Sequence, residues 1–237
     1  MQLTIDAGNS SLKVGLFKNN TLLKQKNLAN GCSILEFLSS EELKNITLVI
    51  SCSVTELISL RDLPDVKKIL IDHTSNFPFN INYKTPKTLG IDRVVACSSV
   101  WKDTSDVLVI DAGSCITYDF VSKSDGYLGG AISPGLRMRF KAMNNFTDKL
   151  PFISQIENNP NIIGENTEEC LKSGVINGIT NEISGFIGKL KLNSPDLIVF
   201  LTGGDSIFLG TELKIDIFAD QNLVLKGLNS LRHLNEK

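Results

Sequence analysis

Short apolar runs separated by polar turns set the layout of the chain. Residues 2–6, with Leu3 and Ile5 as apolar positions, read as a buried strand. Residues 12–18 alternate apolar with small or charged positions, the pattern of a second strand. Asn19-Asn20 makes a hairpin turn into a third strand over 21–26. Ile34-Leu35, Phe37-Leu38 and Leu43 then follow helical spacing. Residues 46–52 and 67–72 read as strands, with a short helix over 55–62 between them. Residues 77–86 hold two prolines and two asparagines, which predicts an irregular loop, and a packed helix begins near Asp92.

The pattern then restarts. Strands are expected over 106–111, 115–121 and 127–133, with a turn at Ser124-Asp125-Gly126. Ser133-Pro134 reads as an N-cap followed by proline at the first helical position, and Leu136, Phe140 and Met143 give that helix an apolar side. Residues 147–166 are loop-like. Asn166 with Glu169 predicts the capped start of a long helix through about Lys189, broken by Pro195. A strand over 197–202 enters Gly203-Gly204-Asp205, a short helix follows, and a last helix covers about 222–234. Three strands followed by alternating helices and strands, given twice, predict an α/β fold with mixed sheets. The expected organisation is two duplicated half-domains, 1–105 and 106–237, facing one another across a cleft.

One run carries the duplication. Ile5-Asp6-Ala7-Gly8 recurs as Ile110-Asp111-Ala112-Gly113, each behind an apolar strand and ahead of a small polar residue, Asn9 or Ser114. Alone, each is also a hairpin turn rich in Asp and Gly. As a pair they place two carboxylates at strand ends and two glycines in tight turns, where backbone approaches a ligand closely.

Composition narrows the chemistry. A net charge of −2 with no basic block gives nucleic acid no footprint. The five cysteines are widely spaced and form no C-x-x-C, so each reads as a small buried hydrophobe in a reducing compartment. His73 and His233 lie far from the glycine motifs. No basic-then-apolar leader and no membrane-length apolar run are found, so the expected location is cytoplasmic, with no membrane partner.

The glycine loops point to phosphate, though neither G-x-x-x-x-G-K-[ST] nor G-x-G-x-x-G is present. Asp6 to Ser11, Asp111 to Ser114, Gly129-Gly130 and Gly203-Gly204-Asp205 are short turns that offer backbone N–H groups and small hydroxyls to phosphate oxygens. Asp6 and Asp111 would help hold the cations that offset a triphosphate. Asp92 reads two ways: as a general base, or as the N-cap of the helix that Arg93-Val94-Val95-Ala96 begins.

Taken in order, these residues resemble the type III pantothenate kinases of the actin-like ATPase and sugar kinase superfamily. The resemblance runs essentially end to end. It rests on Asp6-Ala7-Gly8-Asn9-Ser10, on Gly90-Ile91-Asp92-Arg93, and on Asp111-Ala112-Gly113-Ser114 with Thr117 and Asp119. Gly129-Gly130-Ala131-Ile132-Ser133-Pro134-Gly135, Gly164-x-Asn166-Thr167 and Thr202-Gly203-Gly204 continue it. Ser10 stands where the family often has Thr, and Ser114-Cys115 where it often has Thr-Ala.

The resemblance implies two ribonuclease H-like, actin-like half-domains and transfer of the γ-phosphoryl of ATP to the primary hydroxyl of pantothenate, the first step toward coenzyme A. It implies Mg²⁺ with the ATP, a monovalent cation (K⁺ or NH₄⁺), and a cytoplasmic homodimer. Asp92 becomes the catalytic base. Tyr83, Gly90, Ile91, Asp92, Arg93 and Thr167 become substrate contacts, Thr167 from either subunit. Asp6, Ala7, Gly8, Asn9, Ser10, Ser11, Leu12 and Lys13 become the first phosphate loop, with Asp6 near the divalent metal. Ser114 contacts ATP, Gly203 and Gly204 admit its adenosine portion, and Asp111 holds the monovalent cation. The other readings are a phosphotransferase or phosphatase of the same superfamily with a different substrate, and a non-catalytic nucleotide-binding transcription accessory factor.

Overall fold

A computed structural model describes residues 1–8, 12–29, 32–53, 63, 65–156 and 160–236. Its first sheet is built from β1 (Gln2–Ala7), β2 (Leu12–Lys18), β3 (Thr21–Leu28), β4 (Leu48–Ser53) and β5 (Lys67–Leu70). The second is built from β6 (Val107–Ala112), β7 (Cys115–Ser122), β8 (Gly126–Pro134), β9 (Ile198–Thr202) and β10 (Phe218–Ala219). Taken from corresponding edges, the orders are β3-β2-β1-β4-β5 and β8-β7-β6-β9-β10. In each, the central strand pairs antiparallel with the strand that follows it in sequence and parallel with a later one. The expected duplication is therefore present as two copies of one mixed-sheet topology.

The helices are α1 (Ser40–Asn45), α2 (Ile91–Ser98), α3 (Leu136–Asn145), α4 (Thr167–Lys191), α5 (Ser206–Glu212) and α6 (Leu223–Asn235). The chain forms two compact units. One comprises Met1–Lys102, Ser124–Leu128 and Asn222–Lys237, the other Asp103–Lys123 and Gly129–Gln221. Helix α6 thus belongs with the first sheet, although it follows the second in sequence. Its Leu223, Val224, Leu225, Leu228 and Leu231 are buried, and it packs against α2, β1, β2 and β4.

Each unit buries its own apolar cluster. In the first, Leu3, Ile5, Val14, Leu16 and Val49 meet Ile34, Phe37 and Leu38. In the second, Leu108 and Ile110 of β6 and Val199 and Leu201 of β9 meet Phe140 of α3 and the Val175, Ile176, Ile179 and Ile183 stripe of α4. That i, i+4, i+8 stripe is why so long a helix lies flat on the sheet. Among the described residues, no helix is long and apolar enough to cross a membrane.

Three expectations change. The helical spacing over 34–43 is split into a 3₁₀ turn, Ile34–Phe37, and α1, because Ser39 and Glu42 form a capping box that starts a new helix. Ser133-Pro134 is not a helix start: β8 stays extended through Pro134, Gly135 is the N-cap, and the Ser133 hydroxyl donates to Glu182 instead. The two-residue β10 went unpredicted, being too short for a period. The helix expected over 55–62 lies outside the described residues.

Candidate active site

The first group of site residues gathers at the ends of β1 and β4 and the start of α2. Antiparallel β2 sets Lys13 opposite Asp6, and parallel β4 sets Cys52 beside it. The Cys52 thiol is completely buried and donates to Asp6 Oδ1 at 3.8 Å. Burial pushes the pKa of that thiol well up, and the carboxylates of Asp6 and Asp92 push it further. Cys52 is therefore a neutral thiol, hydrogen-bonded to Asp6 and subject to the charge of Asp92 as well.

Asp92 is the second residue of α2. The N-cap is Gly90, so the capping role open to Asp92 in the sequence is not the one it takes. Its Oδ1 instead accepts from the Arg93 backbone N–H at 3.0 Å, and folds back so far that a Cβ on Gly90 would stand 2.6 Å away. Asp92, Arg93, Asp6 and Lys13 are all partly exposed. Ala7 and Ile91 are each only 5% exposed, so at these two positions a ligand meets backbone rather than side chain. Asn9, Ser10 and Ser11 lie outside the described residues; Gly8 and Leu12 flank them, partly exposed.

Tyr83 belongs to the irregular loop, which is pinned to the start of β8. The Asn82 N–H donates to Tyr127 O at 2.9 Å and the Tyr127 N–H to Asn80 O at 2.8 Å. The partly exposed Tyr83 ring meets the buried Tyr127 edge-on at 6.2 Å.

A second group gathers in the other unit. Asp111 is the last residue but one of β6, with Thr117 of β7 opposite and Thr202 of β9 beside it. Gly113 and Gly203 close over its carboxylate: a Cβ on them would stand 3.2 and 2.4 Å from Oδ1. Gly203 also has φ of 94°, so both space and backbone demand glycine there. The Asp205 N–H donates to Ala112 O at 2.9 Å, tying the β9 turn to the β6 turn. Ser114 and Gly204 are exposed beside these ties. Burial raises the pKa of Asp205, and the charge of Arg137 partly opposes the rise. Thr117 Oγ1 donates to the buried carboxylate of Asp119 at 3.0 Å.

Asp111, Ser114, Gly203 and Gly204 are thus brought together. Thr167 is exposed as the first residue of α4, behind the Asn166 side chain that accepts from the Glu169 N–H at 3.0 Å; the contacts described for this turn run to Gly164 and Glu165. Among the described residues, no three His, Cys, Asp or Glu side chains converge as a metal site. A cation at Asp6 or Asp111 therefore draws its remaining ligands from phosphate oxygens, carbonyls, hydroxyls or water, which suits hard ions such as Mg²⁺ or K⁺. Cys52 was read in sequence only as a hydrophobe. Aligning the ends of β4 and β9, where Cys52 matches Thr202, is the signal that marks it.

Known proteins similar to this chain identify its family. A family model described as type III pantothenate kinase matches residues 2–189. A type III pantothenate kinase of Phocaeicola vulgatus is 46% identical over 242 residues, covering 100% of both chains. A crystal structure of a conserved Campylobacter jejuni protein, assigned by name to the Baf family of transcriptional activators, is 25% identical with a TM-score of 0.66, over 98% of this chain and 97% of that one. A Listeria monocytogenes structure assigned as an N-acetylmannosamine kinase is similar in fold alone, 13% identical with a TM-score of 0.54 over 100% and 99% of the two chains.

Proposed function

The chain belongs to the type III pantothenate kinase family, and from that premise we propose that it transfers the γ-phosphoryl of ATP to pantothenate with Asp92 as the base. The pantothenate primary hydroxyl oxygen bonds to the γ-phosphorus, the bond from that phosphorus to the β–γ bridging oxygen breaks, and the hydroxyl proton passes to Asp92. ADP and phosphopantothenate leave. The observation that supports this reading is that Asp6, hydrogen-bonded to the buried Cys52 thiol, and Asp92 both act electrostatically on that thiol. It supports Asp92 as a proton acceptor near the turn proposed to hold the triphosphate.

In this reading the turn from Asp6 to Lys13 and the turn at Ser114 bind phosphates, and Gly203 with Gly204 leaves room for adenosine. Tyr83, Gly90, Ile91, Arg93 and Thr167 are the residues we assign to pantothenate, with Arg93 offering a bidentate partner to an anionic group. A divalent metal when bound neutralises charge on the β- and γ-phosphates, and Asp6 is the side chain placed to hold it. Asp111, enclosed by Gly113 and Gly203, is the side chain we assign to K⁺ or NH₄⁺. Proton removal comes late in a loose phosphoryl-transfer transition state, so position matters more at Asp92 than high basicity. Halves 1–105 and 106–237 divide these duties, in a cytoplasmic homodimer.

The test is ADP release by purified protein with ATP, Mg²⁺ and pantothenate, with and without K⁺. Pantothenate-dependent ADP is expected, and its absence in both conditions sinks the reading. The name carried by the Campylobacter structure motivates the second reading, a nucleotide-binding accessory factor. That reading expects ATP binding without pantothenate-dependent turnover.

A further inference from the structure

Away from the carboxylates discussed so far, one side chain collects hydrogen bonds from three elements. We propose that Glu182, in the middle of α4, is a positioning residue for the Ser114 phosphate loop. Its Oε1 accepts from the Tyr118 hydroxyl of β7 at 2.7 Å and from the Ser133 hydroxyl of β8 at 2.5 Å. Its Oε2 accepts from Arg139 Nη2 of α3 at 2.6 Å. Arg139 reaches back with Nε to Pro134 O at 2.8 Å. The carboxylate therefore grips the Ser133-Pro134 end of β8 twice, once directly and once through Arg139.

The next residue makes the link to the loop. The Gly135 N–H donates to Ser114 O at 3.2 Å. The backbones pack so closely that a Cβ on Gly135 would stand 2.4 Å from Gly113 O and 2.5 Å from Ser114 O. A shift of the β8 end is thus passed to Gly113 and Ser114 without slack. The apolar core beneath takes in the Tyr118 ring with Leu136, Phe140 and the α4 stripe, while Glu182, Ser133 and Arg139 stand outside it. Glu182, Ser133 and Arg139 therefore fix where the strand ends, above an apolar core that they do not form. Burial works against the charge of Glu182, but its three donors outweigh that and hold its carboxyl below the ordinary glutamate range. The Arg139 and Glu182 side chains are 20% and 24% exposed, so their attraction is only partly screened.

The inference rests on the assignment of the Ser114 loop to ATP, and the experiment separates the two. ATP affinity is measured by calorimetry without pantothenate, and the pantothenate KM by turnover, for wild type, Glu182→Gln, Ser133→Ala, Gly135→Ala and the Arg139→Gln/Glu182→Gln double variant. Glu182→Gln keeps the shape but turns a donor toward the guanidinium. It is expected to weaken ATP about tenfold, the scale of one charged hydrogen bond, and to leave the pantothenate KM within about twofold. The double variant restores an amide–amide pair and is expected to recover about half of that loss on a logarithmic scale. Ser133→Ala, which keeps the ion pair and disturbs folding least, is expected to weaken ATP about threefold. If Gly135→Ala weakens ATP while Glu182→Gln and Ser133→Ala leave it unchanged, whatever their thermal midpoints, the positioning role is overturned. If Gly135→Ala also leaves ATP binding intact, the assignment of the loop to ATP falls, and the proposal with it.

Discussion

Asp6 and Asp111 occupy the same place in two copies of one sheet. Each is the last residue but one of a central strand, with an antiparallel partner opposite and a parallel partner beside it. Their partners differ. Asp6 faces Lys13 and Cys52, whereas Asp111 faces Thr117 and Thr202 and lies under two glycines. A lysine ammonium opposite Asp6 suits a phosphate-binding turn, while hydroxyl neighbours at Asp111 suit a cation that takes oxygen ligands. The two halves share the carboxylate and differ in the strands that face it, and on the proposed reading that difference separates the duties of Asp6 and Asp111.

That separation predicts different defects. Asp111→Asn is expected to raise the K⁺ concentration for half-activation on the order of tenfold or more, since ligand charge sets the affinity of such sites. Asp6→Asn is expected to leave that constant nearly alone and to raise the Mg²⁺–ATP requirement instead. Initial rates against KCl, with ionic strength held by choline chloride, decide it. Equal K⁺ dependence in the two variants would remove the distinction.

Asp92→Asn tests the base. The amide retains shape and can still accept from the Arg93 N–H, so the start of α2 and pantothenate binding are expected to survive. Turnover is expected to fall by about 10²–10⁴, the usual worth of a positioned general base. Calorimetric binding alongside kcat checks both halves. A kcat within threefold of wild type would show that the proton leaves by another route.

Cys52 supplies a hydrogen to Asp6 from a buried site. Cys52→Ser keeps a donor and is expected to hold kcat within about threefold, whereas Cys52→Val removes it and leaves Asp6 less well placed, by about 1 kcal/mol or fivefold in kcat/KM. Because burial shields Cys52 and Cys97, and the charges of Asp6 and Asp92 also oppose the Cys52 thiolate, native protein is expected to protect both from a thiol reagent while the exposed Cys32 and Cys170 react. Mass mapping after brief alkylation is the check; early labelling of Cys52 would contradict the burial.

Most of the fold was legible because apolar periodicity is a local property. The five-residue runs ending at Asp6 and Asp111 declare central strands, and Asn166 with Glu169 declares the start of α4 through one hydrogen bond. What was not legible depended on residues far apart in the chain. Nothing near Ser133 says that its hydroxyl is taken by Glu182, which is why the helix start was misplaced. Nothing in the β4 run says that Cys52 meets Asp6, since that neighbour is set by parallel pairing. The place of α6 in the first unit is likewise decided by packing against α2 and β1, not by position in sequence.

Asp205 closes the set with a prediction on stability. Burial raises its pKa in the folded state, with Arg137 opposing. A carboxyl whose folded pKa lies above its unfolded value of about 3.9 favours folding least once it is ionised. No penalty exists below the unfolded pKa; it grows as pH rises through the window up to the folded pKa and is complete above it. Asp205→Asn is therefore expected to raise the thermal midpoint at pH 7 by about 1–3 °C, the scale of less than one kcal/mol in a chain of this size, and to gain nothing near pH 3.5. Scanning calorimetry at the two pH values checks the sign, and a larger gain at the lower pH would reverse it. Glu182 has the opposite slope: its folded pKa is lowered, so its contribution is present above the ordinary glutamate value and lost as pH falls through the folded one. A carboxylate kept at a stability cost, in the Gly203-Gly204-Asp205 turn and tied by its N–H to Ala112, is what a ligand site produces. The stabilised Asp205→Asn protein is accordingly expected to bind ATP more weakly than wild type.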